Sequence, residues 1–191
     1  MIYCIIYDII NLISTNNENY DAVCAMDFSN IFYDRWVSID LDGNSLLEKF
    51  PFFLNKEAQD LIIYHKPVRV FSCWNGAIVF SASPLKYKKL QFRYKKNNKK
   101  TKHKINNCQK VDYESECTYF HIDLFNLGYT KKFINPNVRV TYNYKYFNKR
   151  KYFYPSLEDI NSYFNLYLKS FKIKRNNNFN IKLNKKTGKN S

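Results

Sequence analysis

The run "YDAVCAMDF", Tyr20 to Phe28, limits the fold more than any other stretch of this chain. It is apolar almost throughout and ends in a carboxylate, Asp27, so it reads as a buried strand with an ionisable group at its end. Such a position is where open α/β sheets bind ligands, although a hydrogen-bonded loop aspartate would look the same in sequence. Residues 5 to 14 read as a helix that stops near the turn cluster "STNNEN". "FYDRWVSIDLDGN" reads as a strand-like segment carrying Asp34, Asp40 and Asp42 and closing in an Asp-Gly turn at Gly43. After a helical stretch to about Tyr64, "VRVFSCWNGAIVFSASPL" supplies two apolar strands with Trp74-Asn75-Gly76 at their junction. A helix follows from a Ser115 cap to a stop at Gly128, and "KKFINPNVRVTYNY" reads as a strand pair around Pro136. Strands alternating with helices predict an α/β domain, and 191 residues are enough for one such domain but short for two. It spans residues 1 to 155, with a basic loop at 86 to 110. A C-terminal helix capped by Ser156 and an Asn/Lys-rich tail complete the chain at 156 to 191.

The net charge is +15, but it is unevenly placed. Residues 1 to 84 carry five basic and ten acidic side chains, whereas residues 85 to 191 carry 26 and six. Much of the excess lies in "KYKKLQFRYKKNNKKTKHK" and "KIKRNNNFNIKLNKKTGKNS", which read as a solvated loop and a tail or as a basic surface for an anionic ligand or a membrane. No nucleic-acid-binding motif accompanies the charge, so no nucleic-acid partner is expected. No segment approaches the roughly 20 apolar residues of a membrane span, and the opening "MIYCIIYDIINLI" makes a poor signal peptide. Five cysteines show no C-x-x-C spacing, so a zinc site is not supported. No histidine falls in a recognisable triad, and no Gly-rich phosphate loop is present.

Several side chains could still carry chemistry. Asp40 and Asp42 lie two apart, so on an extended strand both carboxylates would face one divalent cation; the same Asp-x-Asp-Gly string is also ordinary turn chemistry. Glu116 falls in the first turn of a predicted helix, where amides and dipole favour negative charge, and reads as a base or as a cap. Trp74 could be core. Asn75 offers a donor and an acceptor and Gly76 permits close backbone approach, so the three together read as the floor of a sugar site or as a tight strand junction.

The strings "YDAVCAMDF", "FYDRWVSIDLDG", "VRVFSCWNGAIVF", "CQKVDYESECTYF" and "INPNVRVTYNY", in this order over residues 5 to 146, resemble the fungal cryptococcal mannosyltransferase and capsule-associated protein family, glycosyltransferase family 69. The resemblance implies a GT-A-like α/β domain that transfers mannose from GDP-mannose to a mannose-containing glycan in alpha-1,3 linkage. It implies a manganese or other divalent cofactor and lumenal placement at the Golgi membrane. By the same resemblance, Asp40 and Asp42 hold the metal and Asp27 and Glu116 act in catalysis. Asp34, Trp36, Trp74, Asn75, Gly76 and Arg139 contact substrate. Lumenal placement predicts disulfides, with Cys108 and Cys117 as a couple. Two departures stand out. Ile39 occupies the position where the family places an arginine before D-x-D-G, and the family's N-terminal anchor and nucleotide-binding strands have no counterpart in this chain. The expected domain is therefore N-terminally truncated, and the alternative function is that of a noncatalytic paralogue binding sugar or nucleotide-sugar.

Overall fold

In the computed structural model the helix expected near the start is α1, Ile6–Ile13, followed by a short 3₁₀ turn at Thr15–Glu18. The structure describes residues 6–28, 31–88, 90–93, 103–105, 108–111, 115–143 and 145. The Tyr20 to Phe28 run forms β1, Ala22–Phe28, every residue of which is buried. Further along are α2, Lys56–Ile63, capped by the Asn55 side chain, and β2, Val68–Arg69. Then come β3, Ile78–Phe80, and α3, Ser83–Tyr87. A two-stranded antiparallel pair, β4 His103–Ile105 and β5 Cys108–Val111, precedes α4, Glu116–Asn126, and β6, Lys132–Thr141.

The main sheet has the order β2-β6-β1-β3, with β1 and β6 parallel at its centre and an antiparallel strand on each side. That explains the continuous apolar run of β1, because a central parallel strand is covered on both faces. On one face Leu12 of α1 packs on Val23, Ala25, Val138 and Val140. Another cluster sets Ile62 of α2 with Cys24, Met26, Phe28, Phe53 and Ile134. Helix α4 adds Phe120 and Leu124 against Ala22, and Tyr119 and Ile122 against Ile39 and Phe71. The chain is thus mixed α/β, as expected. Among the described residues, no helix is long and apolar enough to cross a membrane.

Four expectations need correction. The strand predicted over "FYDRWVSIDLDGN" is a series of turns with isolated bridges, Ile39 to Ser45 and Ile39 to Ser72, because its aspartates bond to nearby amides instead of leaving a ladder free. The strand pair around Pro136 is one strand: β6 pairs Ile134 with Cys24 and Arg139 with Met26, so the segment holding Pro136 bulges out of the ladder, as a residue without an N–H requires. The two strands flanking Trp74-Asn75-Gly76 do not pair with each other but lie on opposite sides of the central pair. Part of the predicted basic loop is the β4–β5 ladder. The helix and tail predicted for 156 to 191 lie outside the described residues.

Candidate functional site

β1 and β6 run parallel and end side by side, Asp27 opposite Val140 and Phe28 opposite Thr141. Ligands of open α/β sheets bind at such carboxyl ends. Here the chain turns sharply: Tyr33 N–H donates to Asp27 O at 3.1 Å, and Asp34 N–H donates to Asp27 Oδ1 at 3.1 Å. This folds the Asp34 carboxyl onto that of Asp27. Asp27 has no exposed surface, and its Oδ2 has no hydrogen-bond partner among the described residues. Burial, and then the neighbouring Asp34 charge, pushes the Asp27 carboxyl up to about 7. Asp34 is also raised by burial, while the neighbouring Asp27 carboxyl and the Tyr142 hydroxyl favour its ionised form. Two close carboxyls in a shielded site cannot both ionise readily, so Asp27 keeps the proton and Asp34 carries the charge.

Around this pair lies an aromatic rim. The Trp36 ring is 5.1 Å from Tyr33, and Tyr33 is 5.8 Å from Tyr142, all three exposed. Burial and the two aspartates push the Tyr142 hydroxyl upward, so it is a proton donor at ordinary pH. The N-terminus of α4 closes one side. Ser115 Oγ accepts from Cys117 N–H at 3.2 Å, as the predicted cap should, and Glu116 is exposed beside it. The Cys117 thiol is pushed to about 11, by burial first and partly by Glu116 and Asp34, which places all three groups in one field. The site therefore gathers Asp27, Asp34, Trp36 and Glu116, four residues singled out from sequence, with Tyr33 and Tyr142, which sequence reading missed. Tyr142 stands directly after the strand of the "NPNVRVTYNY" motif, a strand-end position that could have drawn notice.

Trp74-Asn75-Gly76 plays a different part from the expected sugar floor. Asn75 is fully buried with φ 49°, and its Nδ2 donates to Ala25 O at 3.0 Å. Its Oδ1 lies 2.6 Å from Ser38 Oγ, which is also 3.0 Å from Asp34 O. The amide thus ties the Asp34 loop to β1. At Gly76, φ is +74° and a Cβ would meet Val140 Cγ2 at 2.8 Å and Asp27 Cβ at 3.3 Å. The close approach that glycine permits is to the protein's own strands. Trp74 packs edge-on against Phe120 at 5.9 Å and Phe92 at 5.8 Å.

Asp40 closes a turn. Its Oδ1 accepts from the amides of Asp42 at 2.9 Å and Asn44 at 2.7 Å, and its Oδ2 from the Asn44 side chain at 3.1 Å. With the strand geometry gone and Asp40 so committed, the pair does not fit a resident divalent cation of the D-x-D kind. Asp40 and Asp42 line a groove of about 350 Å³ with Asn55, Glu57 and Arg69. Arg139 Nε donates to Pro136 O at 3.1 Å, and its charge helps lower the pKa of His65.

Sequence reading also missed a covalent link. Cys24 of β1 and Cys73 form a disulfide, and Cys117 is a free buried thiol, so the expected Cys108–Cys117 pair does not form. His121 of α4 is buried beside that disulfide with a ring nitrogen 2.6 Å from Cys73 O. Burial, aided by Lys132, lowers its pKa to about 3. Lys132 is itself buried, donates to His121 O at 3.0 Å, and is lowered by burial to about 7.

Compared with known proteins, residues 2–123 match a family model described as Cryptococcal mannosyltransferase 1. No curated protein and no solved structure matches the chain.

Proposed function

The chain belongs to the cryptococcal mannosyltransferase family, and on that premise we propose that the Asp27–Asp34 pair and its aromatic rim form the sugar site of a hexosyl transfer. The donor is a nucleoside diphosphate sugar, GDP-mannose, and the acceptor a hydroxyl of a mannose-containing glycan, joined in alpha-1,3 linkage in the Golgi lumen. The observation that carries the reading is the Asp27–Asp34 carboxyl pair beneath the exposed Tyr33, Trp36 and Tyr142 rings at the shared end of β1 and β6. The exposed faces of Trp36, Tyr33 and Tyr142 offer apolar surface to the C–H face of a pyranose.

In this reading Asp34 accepts hydrogen bonds from sugar hydroxyls, and Asp27 beneath it stays protonated so that the negative charge rests on Asp34. Glu116 takes the proton of the acceptor hydroxyl as that oxygen bonds to the anomeric carbon and the bond from that carbon to the diphosphate oxygen breaks. Asp40 and Asp42, committed to their turn, do not fit the cation that the family resemblance implies. A second reading, sugar or nucleotide-sugar binding without turnover, is favoured by the same commitment of Asp40 to a turn.

Incubation of the purified chain with GDP-mannose and mannose oligosaccharides, with product detection by mass spectrometry, tests the proposal. Product that disappears in Glu116→Gln and Asp34→Asn supports transfer. Binding of both sugars with no product supports the second reading, and a folded chain that binds neither refutes both.

A further inference from the structure

The buried Cys24–Cys73 disulfide has a third metal-ligating side chain, His121, beside it. Their two sulfurs and one ring nitrogen of His121 all lie within 4.8 Å of one another, and all three residues are buried. Cys24 is on β1, Cys73 immediately precedes Trp74-Asn75-Gly76, and His121 is in the middle of α4, so three separate elements converge. The imidazole is already oriented. Since a carbonyl can only accept, His121 Nε2 must carry the proton and donate to Cys73 O at 2.6 Å. That leaves Nδ1 with a free lone pair, and this buried atom has no hydrogen-bond partner among the described residues. Metal-bound histidines characteristically have one nitrogen held by a carbonyl and the other left as a base. The main-chain oxygen of His121 is fixed in turn by Lys132 Nζ.

We propose that Cys24, Cys73 and His121 form a site for a zinc-class cation when the cysteines are in their thiol state, so that disulfide and cation are alternative occupants of one pocket. Two thiolates and a neutral imidazole suit such an ion by softness, and their two negative charges cancel a dication, leaving a neutral group suited to an apolar interior. Bonds of about 2.3 Å to sulfur and about 2.0 Å to nitrogen put tetrahedral ligand atoms roughly 3.5 to 3.8 Å apart. The observed limit of 4.8 Å exceeds that spacing, so holding a cation requires the sulfur–sulfur bond to open and the three side chains to draw together around it. The conversion needs a two-electron reductant. A phosphine becomes its oxide with oxygen from water while the disulfide becomes two thiols, and cation binding then releases the two thiol protons to solvent.

The test uses the full chain with Cys4, Cys108 and Cys117 replaced by Ser, so that only the relevant pair titrates. After phosphine reduction, zinc is added, unbound zinc is removed and bound zinc is counted by elemental mass spectrometry. Cobalt substitution provides a thiolate charge-transfer band as an independent readout. The expected result is about one zinc per reduced chain, none per oxidised chain, and at least tenfold weaker binding for His121→Gln. A folded, reduced chain that takes up no zinc overturns the proposal, as does a His121→Gln variant that binds as tightly as its parent. If reduction unfolds the chain, restoration of its circular dichroism by zinc supports the site, and failure of zinc to restore it refutes the site.

Discussion

Replacing Asn75 separates a bracing role from a ligand-binding one. Its side chain donates to Ala25 O at 3.0 Å and meets Ser38 Oγ at 2.6 Å, all buried, and its φ is 49°. Asn75→Gly keeps the backbone conformation but removes both contacts. Each buried hydrogen bond contributes about 1 kcal/mol net, and a carbonyl left unpaired at Ala25 adds a desolvation cost, so we expect a loss of about 2 to 3 kcal/mol. Asn75→Ala loses the same contacts and places at φ 49° a residue that tolerates the left-handed region less well than Asn or Gly, for about 1 kcal/mol more than the Gly variant. Urea unfolding followed by tryptophan fluorescence measures both. The predicted order is wild type, then Gly, then Ala, with thermal midpoints falling by roughly 2 to 4 °C per kcal/mol. Sugar affinity should fall only as far as the Asp34 loop loosens. Unfolding free energies within about 0.5 kcal/mol of wild type in both variants, alongside a large loss of sugar binding, would refute the bracing account and return Asn75 to the ligand.

Gly76→Ala places a Cβ 2.8 Å from Val140 Cγ2 at φ +74°, so a loss of about 2 to 3 kcal/mol is expected, and Val140→Ala should recover part of it in the double variant. Stability should depend on pH through three buried groups with separable contributions. The Asp27 carboxyl is raised to about 7, so its contribution falls as pH rises from about 4 to 7, while His121, lowered to about 3, contributes a rise from about pH 3 to 6.5 that offsets it. Lys132 is lowered to about 7, so the unfolded chain holds the extra proton above that pH, and stability rises toward pH 10. Each slope is at most about 1.4 kcal/mol per pH unit. Asp27→Asn should leave stability rising with pH between about 4 and 6.5, His121→Gln should leave it falling there, and Lys132→Met should flatten the alkaline limb in chemical unfolding from pH 4 to 10; unchanged limbs would contradict these assignments. Trp36 is 53% exposed, so Trp36→Ala should leave unfolding within about 0.5 kcal/mol of wild type while weakening sugar binding in calorimetry about tenfold.

What the sequence revealed and what it hid follow from the range of the forces involved. β1 with its terminal Asp27, and α4 with its Ser115 cap, were legible because apolar runs and caps are written in neighbouring residues. The loop at 31–44 was misread as a strand because its aspartates look like strand ends in sequence. In the fold Asp40 accepts from amides two and four residues on, and the amide of Asp34 is held by Asp27 of β1. The role of Trp74-Asn75-Gly76 was hidden by distance. Asn75 acts on Ser38 and Ala25, and Gly76 yields to Val140, contacts that exist only once the segment between β2 and β3 crosses the central strands. The partner of Cys73 was hidden for the same reason, being 49 residues away on β1. At the site, Asp27, Asp34, Trp36 and Glu116 were named one by one, but their meeting depends on the parallel pairing of β1 and β6, which no local pattern records.

The most direct measurement is amide and side-chain NMR of the labelled chain during titration with GDP-mannose and with a methyl mannoside. The account predicts that the largest shifts fall on Asp27, Asp34, Gly76, Tyr142 and the Trp36 indole. Shifts confined instead to Asp40, Asp42, Asn55 and Glu57 would place the sugar in the groove beside α2 and contradict the assignment of the site to the ends of β1 and β6.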